Sequence, residues 1–414
     1  MHHRIARSPY AAARSGKLER IVAPVRKNAA PKHPSRDFKV KCLIVVDTLG
    51  ASGAELQILS LMPRLIAGGI AFEVAALMPP YQLEKDFENI GVKVHRLDLT
   101  HRWALMQGYS RLRALSAAGH FQTVWATLFF GHLYSAILKV VRPDLRLVLW
   151  LQSPGYMNSL FRGVWAALRA SIHGWVIRRA DRVIACSKAV AKDYEESFGL
   201  ATLDVIYNAV PHEQILGPLS LEERERVRQR YGVPSNAPLL TIAARYSLDK
   251  GHTYLLEAIS ILEQTTGVQP YCIAAGQGPL KGALERQAQK LGIKARVRFV
   301  GSLDQKELHR LMQSSDAVIL PSLQESLGLA AVEAMALGTP TVLSDYYGLA
   351  EVAAEGAAFT ALPSDAASLA AAIQQALTDD AGRKKVIATA HIRVEQSFTV
   401  ARIAPQWLKV LQPS

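Results

Sequence analysis

Short runs of consecutive apolar residues recur along the chain, separated by longer stretches in which apolar positions return every three or four residues. The first set of runs occupies residues 41–46, 72–77, 92–97, 123–128, 146–151, 182–186 and 204–207. A run that is apolar at nearly every position suits a strand buried on both faces, whereas a three-to-four spacing suits an amphipathic helix. Their alternation predicts an α/β fold with a doubly wound parallel sheet. A second series begins at 239–243 and continues through 271–275, 296–301, 317–320 and 341–343. The stretch 211–219 between the two series, opened by Pro211, reads as a hinge. The pattern therefore divides the chain into a first domain at 38–211 and a second at 212–397, followed by an amphipathic helix over 398–411.

In parallel sheets of this kind ligands bind at the carboxyl ends of the strands, so the loops there hold the candidate chemistry. After the first strand comes Asp47-Thr48-Leu49-Gly50-Ala51-Ser52-Gly53, a glycine loop opening a helix over 54–66. After 123–128 comes Phe129-Phe130-Gly131-His132, again opening a helix. In the second domain Arg245 and Lys250-Gly251 precede a helix over 252–264, and two cations there suit a diphosphate, whose charge they neutralise. Gly276-Gln277-Gly278-Pro279 forms another glycine turn, which is not a dinucleotide fingerprint because position 281 is Lys.

The densest stretch runs from Asp316 to Glu351. Its buried strand 317–320 stops at Pro321-Ser322, a helix follows over 329–337, and Gly338-Thr339-Pro340 ends it before a strand at 341–343. Glu325 in the loop and Glu333 on the helix lie eight residues apart. Helical side chains lean toward the N-terminus, so Glu333 can aim its carboxylate back toward Glu325 and the amides of Gly328 and Leu329. Free N–H groups attract phosphate and carboxylates accept from sugar hydroxyls, so this pattern suits a phosphorylated, hydroxyl-rich ligand.

Composition narrows the classes. Of 414 residues half are hydrophobic and a fifth charged, which describes a globular chain too long for one core. No apolar run is long enough to span a bilayer, and no hydrophobic leader region follows the basic N-terminus. Cys42, Cys186 and Cys272 are far apart and odd in number, which suits buried thiols in a reducing, cytoplasmic setting. The net charge is +13, and residues 1–37 hold nine basic residues against two acids, hence +7 of the excess. Such a basic, proline-containing tail is expected to be disordered. Arginines and aromatics interleave again over 160–182, and with the tail they predict peripheral contact with an anionic membrane, at the inner face of the plasma membrane. No nucleic-acid-binding motif accompanies the charge. An Asp-x-Asp metal motif is absent, so no metal is implied.

The motif P-S-x-x-E-S-L-G-L-x-x-x-E-A-M-A-x-G-T-P, with the following Gly348-x-x-Glu351, closely resembles the signature of retaining glycosyltransferases of the GT-B fold, family 4. Arg245-x-x-x-x-Lys250-Gly251 and Ser52-Gly53-Ala54-Glu55 fit the same family, although Ser52 replaces its first loop glycine. The resemblance implies two Rossmann-like domains facing across a cleft, the last helix (398–414) crossing back to the first. It implies transfer of a sugar from a nucleotide-diphosphate donor, expected to be a UDP-sugar, to a lipid-linked or saccharide acceptor of the cell envelope, with retention and without a cofactor. Glu333 would bind the ribose, Glu325 the transferred sugar, and Arg245 and Lys250 the diphosphate. His132 would face the reaction centre, with Gly53, Gly278, Gly328 and Leu329 lining the donor. A GT-B epimerase and a non-catalytic nucleotide-sugar-binding protein remain as alternatives.

Overall fold

The computed structural model describes residue 38 and residues 40–154, 164–211 and 217–412, with only the backbone of 164–166. The basic tail and residues 160–163 lie outside the described residues. The first domain is a seven-stranded parallel sheet of β1 (Val40–Val46), β2 (Ile70–Ala76), β3 (Lys93–Arg96), β4 (Thr123–Thr127), β5 (Arg146–Leu151), β6 (Arg182–Ala185) and β7 (Asp204–Val205). Its order is β3-β2-β1-β4-β5-β6-β7. The second is a six-stranded parallel sheet of β8 (Leu239–Ala243), β9 (Tyr271–Ala275), β10 (Val297–Gly301), β11 (Ala317–Leu320), β12 (Thr341–Ser344) and β13 (Phe359–Ala361), ordered β10-β9-β8-β11-β12-β13. Both sheets are doubly wound, as the alternating runs predict, because apolar strands need helices on both faces.

Strand order reverses between β1 and β4 in one sheet and between β8 and β11 in the other. Loops leaving neighbouring strands at such a point diverge to opposite faces and leave a crevice. The loops holding Gly53 and His132 flank the first crevice; those holding Lys250 and Glu325 flank the second.

The last helix, Val400–Leu411, returns to the first domain. Trp407 is fully buried there, its ring 4.6 Å from that of Trp125 and 4.7 Å from that of Trp150. Thr123 Oγ1 donates to the Leu411 carbonyl at 3.2 Å. Near the hinge, Val210 N–H donates to the Phe398 carbonyl at 2.7 Å.

The two domains also meet through the helix Tyr347–Ala353, which packs on the first-domain helix Lys188–Phe198. Glu351 accepts from the Lys188 and Ala189 backbone N–H groups at 2.9 and 2.5 Å, so one carboxylate satisfies two free amides of that helix start. In the segment 160–182, His173, Val176 and Ile177 turn into the first-domain core, and Arg179 lies over Trp175 at 3.8 Å. Much of the apolar face of its described part is therefore covered by the protein itself, although Leu168 stays exposed. No helix among the described residues is long and apolar enough to cross a membrane.

Replacing a fully buried aromatic by alanine leaves a cavity that costs about 3–5 kcal/mol. Trp407→Ala is expected to lower the stability of the chain by that amount in chemical denaturation.

Candidate active site

The loop after β8 meets the loop after β11 through its backbone. Gly251 has φ +68 and sits so close to the loop after β11 that a Cβ there would meet the Pro321 carbonyl oxygen at 1.9 Å. Leu323 N–H donates to the Asp249 carbonyl at 2.8 Å. Only glycine permits this approach, and it sets Lys250 beside Glu325. Lys250 Nζ is 2.8 Å from Glu325 Oε1, with Asp249 Oδ2 at 3.2 Å and the Gln324 carbonyl at 3.4 Å. Ser322 Oγ donates to the same Glu325 oxygen at 3.3 Å. The loop is pinned from behind where Gly348 N–H donates to the Glu325 carbonyl at 3.1 Å.

Arg245 stands exposed at the same rim, its side chain making no hydrogen bond or ion pair among the described residues. Gly278 lies under Tyr246, close to its carbonyl. Gly328, with φ +91, is the N-cap of the helix Leu329–Ala336, whose first N–H groups have no partner within the helix. Glu333 lies one turn further along it. Its carboxylate faces the ring of His309, whose Nε2 is 3.7 Å from Oε2. The free amides of a helix start, Lys250, Arg245 and Glu325 thus gather at the carboxyl edge of β8 and β11, with Glu333 one turn along the helix.

Across from this ring lies the loop after β1. A Cβ on Gly53 would stand 3.7 Å from Leu329 Cδ1, so the two glycine loops face each other at contact distance. Buried Glu55 ties the loop down by accepting from Ser52 Oγ and from Thr48 Oγ1 at 3.3 Å. A side-chain clamp takes over where the family has a glycine.

His132 is placed elsewhere. It is 2 % exposed, on the inward face of the helix Phe129–Val141, with Nε2 3.1 Å from the Trp150 carbonyl and its ring 5.9 Å from that of His173. The structure does not bring it into contact with Lys250, Glu325 or Glu333. Position 132 is the fourth residue of the helix, and that turn faces β5.

Three features were not singled out from the sequence as parts of the site. His309 carries a signal of a kind, as a polar residue on the inner face of the amphipathic helix Gln305–Ser314. Glu351 belongs to the quoted motif, but its partners are backbone amides of the other domain. Gln152, just past β5, accepts from Asn208 Nδ2 at 3.0 Å, a pairing across 56 residues that no local pattern shows. Among the described residues no group of three or more His, Cys, Asp or Glu could hold a metal ion.

Burial holds His132 down at about 4 and His173 at about 3, so both stay neutral when folded. The same cause pushes Asp47 up to about 6, although Gly131 N–H donates to it at 2.6 Å. The signs oppose each other. Depressed histidines lose stability as pH falls below about 6.5, where only the unfolded chain takes up the protons, and a raised carboxyl gains it. Between pH 7 and 5 the two histidines cost about 2 kcal/mol each and Asp47 returns about 1, so the net loss is about 2–3 kcal/mol. Melting curves should show that loss, to which buried His252, also held down at about 4, adds its own share, and His132→Gln should remove about 2 kcal/mol of it.

Residues 51–214 match the model of Glycosyltransferase Family 4, and residues 223–393 that of Glycosyl transferases group 1. The chain is 34 % identical over 247 residues to a glycogen synthase of Mycobacterium tuberculosis, covering 58 % of this chain and 57 % of that enzyme's length. It is 26 % identical over 375 residues to an uncharacterized glycosyltransferase of Methanocaldococcus jannaschii, covering 84 % of this chain and 95 % of that one. Among solved structures, Anabaena HepE in complex with UDP and glucose superposes with a TM-score of 0.77 at 22 % identity, covering 90 % of this chain and 99 % of that one. The two parallel-sheet domains are thus those of the GT-B fold.

Proposed function

We propose, for a chain that belongs to the glycosyltransferases of group 1 and family 4, that it moves a sugar from a nucleotide-diphosphate sugar to an acceptor hydroxyl with retention at the anomeric carbon. The observation that carries the reading is the Lys250–Glu325 pair at the start of the Leu329–Ala336 helix, with Arg245 exposed beside it. Lys250 is neutralised by a carboxylate until a stronger anion arrives. A donor diphosphate would draw Lys250 and Arg245 onto itself and leave Glu325 to accept from the hydroxyls of the transferred sugar.

The donor is a UDP-sugar in this reading, supported by the UDP and UDP-glucose complexes of the Anabaena neighbour. As the bond from the anomeric carbon to the β-phosphate oxygen breaks, negative charge grows on that oxygen, next to the two cations and the helix amides. The acceptor oxygen attacks from the same face and its proton passes to the departing phosphate. No protein base and no metal enter this sequence. Glu333 would hold the ribose, and the contact between Gly53 and Leu329 would close the cleft against water. The acceptor is a lipid-linked or envelope saccharide, presented at a cytoplasmic membrane face that the basic tail and the 160–182 segment would approach.

A panel of nucleotide sugars incubated with the purified protein tests the class: slow release of one nucleoside diphosphate supports it, and no turnover of any member overturns it. The same assay separates the carboxylates. Ribose contacts are alike in ground and transition states, whereas the sugar ring gains positive charge as its bond loosens. Glu333→Gln is therefore expected to raise KM for the donor, and Glu325→Gln chiefly to lower kcat, each by about ten- to a hundredfold. The reverse pattern would reject the assignment.

A further inference from the structure

His309 lies on a different helix from every residue named in the transfer above, yet it faces one of them. The helix Gln305–Ser314 packs beside the helix that carries Glu333. Its start is capped by Asp304, which accepts from Glu307 N–H at 2.8 Å. Its end is clamped by Arg228, which donates to the Ser314 carbonyl at 3.1 Å and reaches Asp316 at 3.2 Å. The scaffold under His309 is thus fixed at both ends.

The His309 residue is 4 % exposed, and its Nε2 is buried with no hydrogen-bond partner. A buried ring nitrogen without a partner is costly unless something completes it. The charged group facing it is Glu333 Oε2 at 3.7 Å, slightly beyond hydrogen-bond reach. Glu333 is in the complementary condition: among the described residues no side chain donates a hydrogen bond to its carboxylate, whereas Glu325 is held by Lys250 and Ser322. One short rotation of either side chain would join the two.

We propose that His309 is the positioning residue for Glu333. It donates from Nε2 to Oε2, fixes the carboxylate's rotamer, and leaves Oε1 to accept from the hydroxyls of the bound ribose. The inference rests on the reading of Glu333 as the ribose-binding residue and deepens it. An acid free to rotate loses hydrogen bonds to its ligand through lost orientation, while one held from behind presents the oxygen in place. The effect of His309 should appear in nucleotide affinity and not in the bond-breaking step, because the ribose does not change during transfer.

The test uses the full chain and four variants, His309→Leu, His309→Gln, Glu333→Gln and the His309→Leu/Glu333→Gln double variant. Affinity for UDP is measured by calorimetry, and donor KM and kcat by turnover, with GDP, ADP and CDP as further probes. His309→Leu keeps the packing but removes the donor, and should weaken UDP binding and raise KM roughly tenfold with kcat within twofold. His309→Gln places an amide N–H near the original Nε2 and should recover most of that loss. With Glu333→Gln already present, His309→Leu should add less than twofold, because the two act as one unit. Unchanged affinity in His309→Leu, a failure of His309→Gln to rescue, or full additivity with Glu333→Gln overturns the inference while leaving the wild-type binding intact. If the wild-type protein binds none of the four nucleoside diphosphates, the ribose-binding reading falls and this inference falls with it.

Discussion

Lys250 and Glu325 sit 2.8 Å apart on two loops that leave neighbouring strands, and the arrangement of the second domain follows from keeping them there. Two opposite charges at such a rim are comfortable together, and neither is satisfied well enough to refuse a diphosphate or a sugar hydroxyl. The pair requires the two loops to touch through their backbones. That contact depends on Gly251, which has no Cβ to strike the Pro321 carbonyl. Glu325 is held in turn by Gly348, so the loop is fixed on both sides while its side chains stay available.

The same economy of attachment links the domains. Glu351 reaches across to two backbone amides, and Trp407 packs against both Trp125 and Trp150, which stack on each other. One contact is polar and small, the other apolar and large. A hydrogen-bonded contact can exchange partners with water when the cleft opens, whereas removing a buried indole exposes a large apolar surface. The returning helix therefore anchors, and the glutamate contact is the one suited to making and breaking.

Much of this was legible in the chain. The buried strands are apolar at nearly every position and the glycines fall at their carboxyl ends, so the strands and the loop chemistry follow from local pattern. Glu325, Glu333, Arg245 and Lys250 are each announced by a short motif whose spacing crosses a single strand-to-helix turn. At Ser52 the motif lacks a glycine, and the structure shows the substitute, a short clamp from Ser52 and Thr48 to buried Glu55.

By itself the sequence determined the two doubly wound sheets, the loops that carry the charges and the resemblance to a family, because each is carried by contiguous stretches of chain. The tertiary structure alone decided what the long-range neighbours are. It turned His132 into the core against the Trp150 carbonyl, since helical phase relative to a strand 18 residues away is set by packing. It covered much of the described 160–182 segment with protein, set His309 behind Glu333 across 24 residues, and laid Glu351 on a helix 162 residues away. Such contacts have no period and no motif, because they arise where two separately encoded surfaces meet.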